Sequence, residues 1–324
     1  MSTRRLVLFM LLPILTACQA DSPSGFFDDY LTRVARVQQA SEVTQASDQF
    51  DNLPRKRELY VDIPLTSIGL LDSYQLRQCG LFNLIAERNS VLGKVADEFR
   101  NYDYQNALLD GLSRCLITDG IDTELRRKLL EIEQIKQPQL KLHQWNLIFA
   151  SDAMQEQLQG SRWLQADLAQ TVTEVNQALA TVHAAFGQYG IPTAEVQEVL
   201  EKKPIIGDLN YSLVMATRKL NRVTQQLSDN DHTIICGSNR DTTKYKYLNN
   251  VFEQMYVGKV QPYMAELDSY YQTLSPNLTL LAPQPDTHNY VYPLESNHQA
   301  FRLAIRRHVD YWQALFKRCG RKIG

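Results

Sequence analysis

The run RWLQADLAQTVTEVNQALATVHAAFG, Arg162–Gly187, sets the fold class. Its apolar residues Leu164, Leu168, Val172, Val175, Leu179, Val182 and Phe186 recur by threes and fours, which lines them along one face of an α-helix. Such a stripe is either the seam of a coiled coil or the inner face of a helix in a bundle. It lasts only about three heptads, so a core helix of one bundle is expected.

The same spacing returns on both sides. Phe26, Phe27, Tyr30, Leu31, Val34 and Val37 come after Ser24, a candidate N-cap. A long helical pattern runs from Leu65 to about Lys94 and a second from Tyr104 to Leu116, ended by Thr118-Asp119-Gly120. Asp122 or Thr123 can cap the next helix, which Pro138 is expected to interrupt before Leu140–Ala150. Asp152–Gly160 has the polar composition of a turn, and Gly190-Ile191-Pro192 and Lys203-Pro204 punctuate the chain beyond the stripe. Helices are expected over Asp208–Leu227 and over Lys244–Tyr271, the latter bent near Gly258 and Pro262. After a Pro/Asn-rich connection, Pro276–Pro293, Ser296 caps a last helix with Phe301, Ile305, His308, Trp312, Leu315 and Phe316 on one face. Leu59–Ile63 has the character of an extended segment. The expected fold is all-α: an irregular multi-helix bundle with long loops, two disulfides and an N-terminal lipid tether.

That tether is read from the first residues. Arg4 and Arg5 precede the apolar run Leu6–Leu15, and Thr16-Ala17-Cys18 comes next. Charge, a short apolar stretch and small residues make a secretory signal. The run is about half of the roughly 20 residues that a membrane-spanning helix needs. Leu15-Thr16-Ala17-Cys18 is similar to a lipobox, in which the cysteine receives a diacylglycerol and the chain is cut before it. Residues 1–17 are thus expected to be a signal peptide, 18–25 the lipidated Cys18 with a polar tether, and 26–324 a periplasmic, mainly helical domain. Two or more acyl chains anchor stably, whereas one holds marginally. Asp after the lipidated cysteine favours inner-membrane retention; Gln19 stands there, so the periplasmic face of the outer membrane is the expected address, the inner membrane the alternative.

Of the 5 cysteines, Cys79, Cys115, Cys236 and Cys319 remain after Cys18. An even number in an oxidising compartment argues for disulfides, with three pairings open. If the helical stretches flanking position 97 form an antiparallel hairpin, Cys79 and Cys115 lie at one height, as bridging requires. Cys236 would then fasten to Cys319 on the last helix. No Cys-x-x-Cys is present.

With 34 basic and 36 acidic residues and a net charge of −2, nothing points to a nucleic-acid partner. The local basic clusters Arg55-Lys56-Arg57, Lys317-Arg318 and Arg321-Lys322 read as solvated faces. No glycine-rich phosphate loop, His-Glu-x-x-His pair or Gly-x-Ser-x-Gly elbow occurs, and no cofactor or metal is expected. Three polar groups stand out. Glu87, Arg88 and Asn89 interrupt an apolar helix, and Arg88 lies on its apolar arc, so its guanidinium is expected to be partly buried. It serves there as an interhelical ion-pair partner or in a pocket for a ligand carboxylate or phosphate. Asp229-Asn230-Asp231-His232 is oxygen-rich, but its spacing matches no calcium loop and it reads as a solvated turn. His298, Arg302 and His308 lie near Arg306 and Arg307 on the last helix, with His308 on the apolar stripe as a hydrogen-bonded core residue.

Arg57-Glu58-Leu59, Ile68-Gly69-Leu70-Leu71-Asp72, Cys79 and above all Leu84-Ile85-Ala86-Glu87-Arg88-Asn89-Ser90-Val91-Leu92-Gly93-Lys94-Val95 resemble an uncharacterised lipoprotein family of Gram-negative bacteria, a domain of unknown function. The resemblance extends over nearly the whole mature chain. It implies a lipidated envelope protein and brings no activity, cofactor or catalytic residue with it. The expectation is a non-enzymatic envelope lipoprotein that binds another protein or organises a complex, its membrane contact made through the N-terminal lipid. The alternative is an enzyme or small-ligand binder acting on cell-wall or glycan material, with Glu87, Arg88 and Asn89 or the Tyr290 region lining a cleft.

Overall fold

The structure, a computed structural model, describes residues 22–44, 49–66, 74–90, 95–237 and 239–321. The signal segment, Cys18 and the first three tether residues, 19–21, lie outside the described residues, as do Ile68–Asp72 and Val91–Lys94. Among the described residues the regular structure is helical, with one isolated β-bridge, Gln284–His288. The all-α expectation holds.

Helix α1 (Pro23–Gln38) begins inside the expected tether, because Ser22, not Ser24, accepts from Gly25 N at 3.1 Å. A short turn α2 (Lys56–Leu59) precedes an extended segment that runs along a later helix. There, Trp145 Nε1 donates to Leu59 O at 2.7 Å and Asn146 exchanges two bonds with the Val61 backbone, at 2.9 and 2.8 Å. Among the described residues the pattern expected over Leu65–Lys94 is not one helix: residues 76–80 form a turn, and α3 (Leu81–Arg88) is entered through Gly80 at φ 80°. Helix α4 (Glu98–Ile117) starts earlier than its apolar pattern, since Asp97 accepts from Arg100 N.

Helix α5 (Thr123–Ala150), capped by Asp122, runs straight through Pro138, contrary to the expected break. Proline removes one hydrogen bond and crowds the carbonyl of residue i−4. Burial of Leu125 and Leu129 on one side of it and of Trp145–Ala150 on the other offsets that loss. Asp152–Gly160 is a helix too, α6 (Asp152–Leu158), because Ser151 Oγ accepts from Met154 N at 3.2 Å and caps it.

The decisive stripe also needs a correction. Helix α7 begins at Ala169 and ends at Gly187. Ahead of it, Ser161 and Arg162 donate their N–H groups to Asp208, Leu164 to Ser212 and Leu168 to Tyr270. With these backbone donors so engaged, the segment stays irregular, with Asp167 at φ 63°. Val172, Val175, Leu179 and Val182 are fully buried, as a core helix requires. Helices α8 (Gln197–Lys202) and α9 (Ile205–Asp229) come next. Helix α9 is the hub, packed against α1, α6, the next long helix α11 (Gln261–Leu274) and the last helix α12 (Leu294–Arg318). Between α9 and α11, α10 (Thr243–Val251) passes into a π-helical stretch, Phe252–Val260. The expected bend near Gly258 and Pro262 is therefore a change of helical register, from i→i+4 to i→i+5 bonding. Helix α12 starts two residues before the expected Ser296 cap.

Backbone touches backbone where α9 crosses the end of α6. A Cβ on Gly160 would lie 1.9 Å from Gly207 O, and one on Gly207 2.6 Å from the Gln159 carbonyl carbon. Both cysteine pairs form as expected: Cys79–Cys115 and Cys236–Cys319, each with Cα atoms 5.1 Å apart.

The apolar interior is two clusters rather than one. The larger takes in α1, the C-terminal part of α5 and the helices from α6 onward, with Phe99 and Tyr102 of α4. The smaller joins Leu76, Leu81 and Ile85 to Leu108, Leu109, Leu112 and Cys115 of α4 and Leu125 and Leu129 of α5. Helices α4 and α5 run through both, so the disulfide-stapled arm is an extension of the main bundle.

Candidate functional site

Where α4 and α5 cross from one core to the other, their facing side chains turn polar. On α5, Lys136, Gln139 and His143 stand at i, i+3 and i+7, which puts them on one face. On α4, Asn101 and Gln105 stand at i and i+4. Lys136, Gln105, Gln139 and His143 are only 7, 8, 8 and 6 % exposed. From α3, Arg88 Nη2 donates to Asn101 Oδ1 at 3.0 Å, and Asn101 Nδ2 meets His143 Nδ1 at 3.3 Å. The result is a buried polar seam between two apolar clusters.

The charge in the seam is basic. Burial, then the Arg88 charge, lowers the Lys136 pKa. Burial, reinforced by Lys136 and Arg88, lowers that of His143 to about 4, so the ring is neutral at neutral pH. Buried polar atoms are nearly always hydrogen-bonded. Gln105 Oε1, Gln139 Oε1 and His143 Nε2 find no partner among the described residues.

Arg88 also lines an open cleft of about 600 Å³ with Glu87, Ser90, Arg100, Asp103 and Tyr104, its guanidinium carbon 5.2 Å from the Tyr104 ring centroid. Of the three residues singled out in sequence, Glu87 and Arg88 line this cleft; Asn89 does not, and instead closes α3 by donating its N–H to Ile85 O. Arg88 is part-buried, and its bond to Asn101 is to a neutral amide rather than to a carboxylate. Asp103 is committed to structure: it accepts from Thr193 N and Oγ1 and from Ala194 N at 2.8, 2.8 and 3.0 Å. Glu87 and Asp103 are the acids of this lining, and with Asp103 so engaged they do not form a free carboxylate pair.

The other expectations fall outside the seam. Tyr290 itself lines only a hollow of about 140 Å³, below the roughly 300 Å³ at which ligand pockets begin, and packs edge-on against Phe149 at 5.7 Å, whereas its neighbours Val291 and Tyr292 line a cleft of about 440 Å³. Asp231 accepts from Tyr311 and is paired with Arg318, which ties the 229–232 turn to α12. Among the described residues no cluster of three or more His, Cys, Asp or Glu could hold a metal ion. His298 stacks on Tyr271 with centroids 3.6 Å apart and meets Asp268 Oδ1 at 2.6 Å, with Arg302 3.8 Å from the same oxygen. His308 is the core residue expected, bonded to Thr224, Tyr30 and Trp312. Members of the basic clusters are paired as well: Arg55 with Glu58, Lys56 with Asp152, Arg321 with Glu253.

Lys136, Gln139, His143, Asn101 and Gln105 are not among the residues that the sequence singles out. Their signal is the i, i+3, i+7 spacing on α5, and ending the helix at Pro138 conceals it. Comparison with known proteins gives one finding: the family described as protein of unknown function (DUF3080) matches residues 27–323. No curated protein and no solved structure matches.

Proposed function

The chain belongs to the DUF3080 family over nearly its whole length, and for this member we propose a lipid-anchored envelope protein that acts by binding rather than by catalysis. The observation that carries the reading is the use of cysteine. Two bridges consume Cys79, Cys115, Cys236 and Cys319, which suits an oxidising compartment. The fifth cysteine, Cys18, is left for the lipid that Leu15-Thr16-Ala17-Cys18 calls for, at the periplasmic face of the outer membrane. No helix among the described residues is long and apolar enough to cross a membrane, so attachment falls to that lipid.

Binding of an envelope protein is proposed for the arm, where Tyr74, Ile117, Leu130 and Ile135 are exposed large apolar side chains. The test is metabolic labelling with palmitate followed by membrane fractionation. The wild-type chain should carry label and sediment with outer membrane, and Cys18→Ser should lose both. An unlabelled wild-type chain would end the proposal.

A further inference from the structure

The seam's hydrogen-bond chain can be traced proton by proton. A guanidinium only donates, so Asn101 Oδ1 must be the acceptor for Arg88, and Asn101 Nδ2 must be the donor to His143 Nδ1. The ring proton of the neutral imidazole is therefore on Nε2, a buried donor with no partner among the described residues. Gln139 Nε2 donates to Pro64 O at 3.3 Å, which fixes Gln139 Oε1 as an acceptor, again without a partner. Lys136, 7 % exposed, makes no ion pair with a carboxylate among the described residues. One face of α5 thus carries a cation without a carboxylate partner among the described residues, and an N–H donor and a carbonyl acceptor still to be satisfied.

An occupant must bring negative charge for Lys136, acceptor oxygens for His143 and at least one O–H for Gln139. A carboxylate or sulfate only accepts; water has both functions but no charge. Hydrogen phosphate and a singly protonated phosphomonoester have all three. We propose that the seam between α4 and α5 binds a phosphate group, with Lys136 Nζ and His143 Nε2 donating to its oxygens and Gln139 Oε1 accepting from its P–OH. Arg88, shared between seam and cleft, adds positive charge at the entrance. The proposal goes beyond the anchoring reading and stands or falls independently of it.

The experiment is equilibrium dialysis of the full chain in detergent against radiolabelled orthophosphate at neutral pH and fixed ionic strength, with sulfate as competitor. Saturable uptake that sulfate displaces at least tenfold less well than unlabelled phosphate is expected. Lys136→Met and Gln139→Glu, which places a negative charge beside Lys136, should each weaken uptake at least tenfold while far-ultraviolet dichroism stays unchanged. Glycerol phosphate and dihexanoyl phosphatidic acid separate a free phosphomonoester from a lipid headgroup, and displacement of labelled phosphate by either supports the site. No saturable uptake (ordered water only), equal competition by sulfate, or uptake indifferent to both substitutions overturns it. Should a variant fail to fold, the phosphate-against-sulfate comparison on the wild type decides alone.

Discussion

Acidification should destabilise this protein through His308 before its carboxylates titrate. Trp312 Nε1 donates to His308 Nε2 at 3.0 Å, and Tyr30 Oη lies 3.0 Å from the same nitrogen. Thr224 Oγ1 donates to Leu220 O, so it must accept from His308 Nδ1–H, at 2.9 Å. The ring is neutral, fully buried and has no nearby anion among the described residues, and burial lowers its pKa from 6.5 to about 3. The unfolded chain therefore takes up a proton below 6.5 that the native state refuses. The stability contribution is complete above pH 6.5 and is lost as pH falls toward the folded pKa, by about 1.4 kcal/mol per pH unit. Between pH 6.5 and about 5 His308 costs about 2 kcal/mol, and His143, lowered to about 4, costs a similar amount. Urea unfolding monitored by tryptophan fluorescence should give a loss of about 4 kcal/mol for the wild type and about 2 kcal/mol for His308→Gln over that window. Exposed carboxylates titrate alike in both proteins and cancel. Equal slopes for the two would refute the buried-neutral assignment.

Two further substitutions test the architecture. Cys79→Ser with Cys115→Ser removes a bridge closing a separation of 36 residues, worth about 4 kcal/mol by loop entropy. Because the arm has its own apolar cluster, hydrogen exchange should accelerate over α3 and the N-terminal half of α5 and stay slow in α9; uniform acceleration would deny the two-core division. Gly207→Ala should cost more than about 3 kcal/mol in urea unfolding, since its Cβ would sit 2.6 Å from backbone atoms that cannot turn aside. A cost below about 1 kcal/mol would mean that α6 and α9 do not meet there.

The fold class is legible because it rests on spacing, a property of the local chain. Val172, Val175, Leu179 and Val182 recur at helical intervals whatever surrounds them, and all four are buried. The Cys79–Cys115 pairing is legible for a related reason: a hairpin fixes which residues are level, even though α3 is far shorter than its pattern. Spacing cannot show competition from distant donors and acceptors. Leu164 and Leu168 fit the stripe, yet Ser212 and Tyr270 hold their N–H groups and the helix starts after them. Ser151 is hidden as a cap because Asp152–Gly160 is polar, and polarity says little once an oxygen stands ready for Met154 N.

The seam shows how one local rule can hide a site. Proline in a helix interior costs about 3 kcal/mol relative to alanine, and a reading that ends the helix there assigns Lys136 and His143 to different elements. Carried through Pro138, the same letters give Lys136, Gln139 and His143 on one face, and a buried lysine among glutamines then calls for explanation. Arg88 is visible because it breaks an apolar arc within a single helix. Its partner Asn101 lies on the next helix and its electrostatic neighbours Lys136 and His143 on the one after. Residues that interrupt a stripe are visible one helix at a time. A site made where three such interruptions meet becomes visible only when both cores are in place and the polar band is what separates them.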